Sequence, residues 1–339
     1  IITLKDPEKT EEYKDFVRMF LDMKEVADLL RAKRRKRGSI DFDFPETKVI
    51  LDDQGHPVDI KPYDRNPATK IIEDFMLAAN ETVAQDYFWQ EIPFVYRTHE
   101  VPDTEKIKKL STFINNFGYH IHMGSDEVHP KELQKLLAKI EDTPVEGLIS
   151  RLTLRSMKQA KYSVECVGHF GLAAQYYCHF TSPIRRYPDL QIHRIIKDSL
   201  RGRMNEKRME HYWKILPGVA QQASQLERRA DEAERETIKM KKVEYMESRI
   251  GNEYEGVISG ITNYGLYVEL PNTVEGMVHV TTLRGDYYNY IESTYEMVGE
   301  NTGKSYKLGQ TVKIRVIGTD KLVRRIDFEL VDPKKEEEF

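Results

Sequence analysis

Cysteine is nearly missing from this chain: Cys166 and Cys178 are the only two in 339 residues. Two thiols cannot build a disulfide framework or a thiolate metal site, so both are expected as small packed residues in a reducing cytoplasm. No apolar run reaches the length of a membrane span and no secretory leader opens the chain, so no membrane partner is expected. Surplus positive charge is missing too, because 52 Lys and Arg face 56 Asp and Glu for a net charge of −4. Any polyanion must then be met by local basic patches. Nothing repeats internally, and the chain opens on Ile1 rather than Met, in a stretch that reads as a loop entering a helix. A fragment of a longer protein is the expectation. At 339 residues the chain is long enough for two domains, or one large domain and a small one, each with its own core, and 40% hydrophobic with 32% charged residues describes an ordinary globular protein.

From Thr10 onward, Phe16, Val17, Phe20, Met23, Ala27 and Leu30 recur at helical spacing, which predicts a helix with one face on a core. Its basic run, residues 31–37, closes at the C-cap signal Gly38. Cations suit a last turn, and contact with a polyanion is the competing reading. Residues 39–60 alternate like paired strands around a turn at Asp53, Gln54 and Gly55. Asp41 and Asp43 share one strand face and Phe42 takes the other, while Asp52 and Asp53 suit the turn. No metal is assigned to either acidic pair. Residues 66–88 form an amphipathic helical pattern with Glu73 beside its apolar stripe, and a short strand then ends at His99. His120, His122 and His129 lie among acids, but their spacing fits no metal motif, and a loop with Ser125 capping the next helix accounts for them. Helices are expected at 130–141 and 144–162, the second carrying a basic stripe of Arg151, Arg155, Lys158 and Lys161.

Residues 169–197 read HFGLAAQYYCHFTSPIRRYPDLQIHRIIK. Ser182 with Pro183 after it predicts a helix start, which places Arg185 and Arg186 in a first turn where the dipole already favours an anion. Cations there break a local rule, and a bound phosphate explains the breach as readily as two solvated arginines do. Pro217 and Gly218 then predict a break, with a long helix from 219 to 248 beyond it.

The order HFGL, HFTSPIRRYPD and HR closely resembles the signature of the ribonuclease II and ribonuclease R family of processive 3′-to-5′ exoribonucleases, with details nearer ribonuclease R. From 251 to 331 the pattern changes to short strands and turns. There GVI, YGLYV and EGMVH resemble the OB-fold RNA-binding domain of the ribosomal protein S-one type, and residues 332–339 form a charged tail. The expected fold class is α+β: the helix-rich C-terminal part of a ribonuclease II-type catalytic domain over 1–248, then a five-stranded OB-fold barrel.

The resemblance also implies roles. Arg185 neutralises the scissile phosphate, with Arg186 beside it on the RNA; Phe42 stacks a base; Glu73, His99 and Glu234 support them, and Glu227 competes with Glu234 for its role. Tyr264, Tyr267 and His279, from neighbouring strands, form a stacking face beside Arg284. The family holds Mg²⁺ with a compact aspartate motif, G-x-D-x-x-D-x-D-D, which is absent here. The ion therefore belongs to the intact parent, and no metal is expected on this chain alone. The implied partners are single-stranded RNA 3′ ends and structured RNA, with this chain binding RNA but catalytically incomplete. A non-catalytic RNA-binding or scaffold protein with a degenerate nuclease domain is the alternative.

Overall fold

Asp6 caps the short first helix, α1 (Pro7–Glu12), by accepting the Lys9 N–H. In the computed structural model, which describes residues 1–40, 46–63, 65–124, 127–143, 145–292 and 294–331, α2 (Lys14–Arg37) follows. It ends at Gly38, whose φ of 110° is a left-handed conformation that favours glycine. Of the expected apolar face only Ala27 is buried, and Phe16 is exposed.

A hairpin of β1 (Thr47–Leu51) and β2 (Pro57–Pro62) comes next, its turn held by Asp52, which accepts the N–H groups of Gln54 and His56. Asn66 then caps α3 (Pro67–Trp89) by accepting the Thr69 N–H. Charge joins α2 to α3: Arg31 and Arg34 both bind buried Asp74, and Arg37 grips Glu81 with two hydrogen bonds. These arginines of the basic run are thus used inside the fold.

Strand β3 (Tyr96–Thr98) leads into α4 (Thr104–Asn115), α5 (Pro130–Ile140) and α6 (Glu146–Ser156). The three helices bury Ile107, Ile114, Leu133, Leu136 and Ile149 in one cluster. Helix α6 stops at Ser156 instead of running to 162, because Met157 is extended and the chain turns into β4 (Lys161–Ser163), antiparallel to β3. Lys158 and Lys161 thereby leave the expected stripe and both bind Glu100.

Helix α7 (Tyr187–Leu200) and the 42-residue α8 (Glu206–Glu247) complete the helical part. The expected break at Pro217 does not occur. Tyr212, Leu216, Ala220 and Ser224 are buried at regular helical intervals across the proline, and that packing outweighs one lost backbone hydrogen bond. At 1.5 Å per residue α8 is about 63 Å long. Its first half packs in the core with Phe94, Tyr96 and Tyr162, and its last turns place Val243 and Met246 in the core of the barrel.

That barrel is formed by β5 (Glu253–Thr262), β6 (Gly265–Glu269) and β7 (Glu275–His279), then β11 (Thr311–Asp320) and β12 (Arg325–Leu330). It closes in the order β11-β12-β7-β6-β5. Between its halves β8 (Tyr288–Ile291), β9 (Glu296–Gly299) and β10 (Ser305–Lys307) form a separate three-stranded sheet. The α+β class expected from the sequence is the one observed.

Candidate nucleic-acid interface

The first part of the signature segment, residues 169–186, is a loop held in place by side chains of other elements. Asn80 on α3 donates to the Tyr177 hydroxyl at 3.2 Å and accepts the Phe180 N–H at 3.0 Å. His99, at the end of β3, accepts the Gly171 N–H at 3.2 Å. A Cβ on Gly171 would lie 3.1 Å from that same ring nitrogen, so the close approach depends on glycine.

The helix that carries the end of the signature begins at Tyr187 with Arg186 as its N-cap, not at Ser182. Residues 182–186 form a turn in which the Arg186 N–H donates to the Ser182 carbonyl at 3.0 Å. Asp189, fully buried in the first turn of α7, accepts the Ser182 N–H and an Arg186 N–H, each at 2.8 Å. The helix start thus carries its own anion, which pairs with Arg186. Arg185 differs from its neighbour: it is exposed, and no hydrogen bond or ion pair holds its side chain among the described residues.

Beneath the turn, Arg97 on β3 reaches Glu227 on α8 at 2.6 Å and lies 4.7 Å over the ring of Tyr162 on β4. The Tyr162 hydroxyl is 2.9 Å from His179 Nδ1. Burial, then the charges of Arg186 and Arg97, push His179 down to about 2. Burial, then His99, brings His169 down to about 3. Burial raises Tyr177 to about 12, and burial with Glu227 raises Tyr162. The imidazoles are therefore neutral and the phenols protonated at neutral pH. Formal charge comes from Arg97, Arg185 and Arg186 against Glu227 and Asp189. With Arg97 and Arg186 each paired, Arg185 is the cation of this cluster without a counter-charge among the described residues.

Of the two glutamates, Glu227 joins this cluster. Glu234 is exposed, two turns further along the same face of α8, about 10.5 Å away. It lines a cleft between α8 and the barrel together with Lys242, Tyr267 and Met277. Burial lowers the pKa of Lys242, whose ammonium donates to the Thr273 carbonyl at 2.5 Å. Glu73 is half-buried on α3 and paired with Arg65 at 2.5 Å. Phe42 and Ser125 lie outside the described residues.

On the barrel, Tyr264 is exposed in the β5–β6 turn and Tyr267 packs against Gly260 of β5, where a Cβ would sit 3.4 Å from its ring. His279 ends β7 opposite Gly265, with Nδ1 2.7 Å from the Thr281 hydroxyl, and Arg284 is exposed in the segment that follows. Among the described residues no three His, Cys, Asp or Glu side chains gather as a metal site. His120 pairs with Asn115, and His129 caps α5 by accepting the Lys131 N–H. Asn80, Arg97, Tyr162, His179 and Asp189 join the site without being singled out by sequence pattern. Asp189, three residues after Arg186, carried a local signal; the others meet only through long-range folding.

An arginine-bearing loop set among helices, with one long helix running into a five-stranded barrel that displays tyrosine, makes up a two-part α+β protein. The model of the RNB domain matches residues 2–202 and that of the S1 RNA binding domain matches residues 247–330. The chain belongs to the RNB family and is ribonuclease R-like. Ribonuclease R of Thermotoga maritima is 45% identical over 337 residues, 98% of this chain and 47% of that protein. Mycoplasma genitalium RNase R, solved in complex with ribose methylated single-stranded RNA, superposes with a TM-score of 0.85 at 28% identity, over 91% of this chain and 49% of the other. Yeast Ssd1, a pseudonuclease, gives a TM-score of 0.55 at 25% identity, over 70% of this chain and 30% of the other. The chain thus spans less than half the length of the curated relatives it matches. Among the described residues, no helix is long and apolar enough to cross a membrane.

Proposed function

We propose that this chain is the RNA-holding part of a cytoplasmic 3′-to-5′ exoribonuclease that releases nucleoside 5′-monophosphates one at a time. The observation that carries the reading is Arg185, an exposed guanidinium with no ion-pair partner among the described residues, beside a turn made rigid by Asp189. Such a group binds a phosphodiester oxygen and stabilises charge that builds on it during hydrolysis. The tyrosines of the barrel offer stacking surfaces that tolerate any base, which suits single-stranded 3′ ends and the unpaired tails of structured RNA. A divalent ion would supply the activated water for such chemistry. The described residues do not form a cage for one, so no step is assigned to it.

By itself the chain is expected to bind RNA and leave it uncut, or nearly so. The test is labelled single-stranded RNA with Mg²⁺, followed by binding and by product release. Failure to bind refutes the function, and steady release of mononucleotides refutes the expected inactivity. Likeness to Ssd1 favours a second reading, a degenerate RNA binder. Extending the chain upstream within its gene separates the two, since an enzyme would then release mononucleotides and a binder would not.

A further inference from the structure

His179 uses one ring nitrogen and leaves the other available. Its Nδ1 lies 2.9 Å from the Tyr162 hydroxyl, which has a single proton to give. The competing acceptor, Glu227 Oε1, is 3.5 Å away, beyond the normal range for such a bond, and its other oxygen is paired with Arg97 at 2.6 Å. The hydroxyl proton therefore goes to His179 Nδ1. A neutral imidazole that accepts at Nδ1 carries its own hydrogen on Nε2.

Two further observations give that hydrogen a purpose. No other hydrogen bond reaches the ring among the described residues, and the side chain is half-buried rather than sealed. The ring also lies within the electrostatic reach of Arg185 and Arg186, and their charge helps to keep it neutral. A donor with a fixed proton, within the electrostatic reach of a guanidinium that has no ion-pair partner among the described residues, matches an acceptor that carries negative charge.

We propose that His179 is an RNA-contacting residue whose Nε2–H donates to a non-bridging oxygen of the phosphodiester bound by Arg185. The proposal rests on the reading that this chain binds RNA. Tyr162 acts through His179 as a positioning residue, because its hydroxyl selects the tautomer.

The test uses the full chain, in EDTA, with a short fluorescein-labelled oligoadenylate read by anisotropy. His179→Leu removes the donor, and the affinity is expected to fall about tenfold or more, as for a lost hydrogen bond to a charged group. His179→Gln places an amide N–H near the position of Nε2 and is expected to recover most of that loss, whereas His179→Asn is not. Equal loss in the Gln and Leu variants shows a packing role and overturns the proposal, as does wild-type affinity in the Leu variant. Oligodeoxyadenylate is expected to show the same loss; a loss confined to RNA would move the contact to a 2′-hydroxyl and overturn the phosphate assignment. On the wild-type chain, ¹⁵N NMR is expected to show the Nε2–H tautomer, shifting toward a mixture in Tyr162→Phe. A wild-type Nδ1–H tautomer overturns the proposal even if RNA still binds. A wild-type chain that binds no RNA overturns the functional reading along with it.

Discussion

Replacing Asp189 by Asn tests whether the turn of the signature is held by a buried charge. Asp189 has 0% of its side chain exposed and Arg186 has 19%, so the ion pair lies almost wholly inside the protein. Asn retains an acceptor for the Ser182 N–H but leaves the Arg186 guanidinium without a counter-charge. Breaking a buried pair from one side costs about 3 to 5 kcal/mol. The lower end applies here, because Asp189 Oδ2 and Arg186 Nε make no hydrogen bond among the described residues, so one contact joins the pair. About 3 kcal/mol corresponds to a fall of about 6 to 12 °C in the melting temperature of a helical region this size. Circular dichroism at 222 nm reads the transition, a wavelength at roughly the helical minimum that the helix-rich part dominates. Replacing both partners, Arg186→Met with Asp189→Leu, is expected to recover most of the stability, since apolar residues of similar volume bear no desolvation penalty. A single variant that melts with the wild type, or a double variant that melts lower than the single one, would refute the reasoning.

Arg185→Ala is expected to reduce the slope of log affinity against log salt by about 0.7, as for one lost phosphate contact on a single strand. Tyr267→Ala should instead weaken binding by about 1 to 3 kcal/mol through lost stacking, with the slope unchanged, so a shared response would contradict the division of roles. Lys161 and Lys158 hold the Glu100 carboxyl down to about 2, against an ordinary 4.5. Its stabilising contribution is then fully present above pH 4.5 and is lost as the pH falls through about 2. The group is largely solvated, so the effect on stability is small. NMR titration of the Glu100 carboxyl should find the low value, and its return to the ordinary range in Lys161→Ala checks the cause. In the barrel, a Cβ on Gly276 would lie 2.5 Å from Cε2 of the fully buried Phe328. Gly276→Ala is expected to destabilise the barrel by about 1 to 3 kcal/mol, measurable as earlier loss of its amide protection in hydrogen exchange.

Features set by neighbours in sequence were legible before folding was known. Gly38 closes α2, Asp52 organises the hairpin turn, and short strands separated by turns mark the barrel, because each depends on backbone chemistry within a few residues. Local rules failed where distant packing competed with them. Pro217 reads as a break, but buried side chains on both sides of it keep α8 continuous. Ser182 reads as a cap, but the chain is extended at Arg186, with φ −126° and ψ 119°, so the helix starts at Tyr187.

The candidate site divides in the same way. The sequence by itself determined which cations, rings and barrel strands exist, and the order of the signature that marks the family. Only the tertiary structure decided which arginines stay uncompensated. Asp74 and Glu81 take up Arg31, Arg34 and Arg37, Glu227 takes up Arg97, and Asp189 takes up Arg186, while Arg185 keeps its charge for solvent. Apart from Asp189, those carboxylates lie 40 or more residues from the arginines they bind, so helical or strand periodicity could not pair them. Coulomb attraction depends on distance in space, which the chain acquires only when its helices and strands pack.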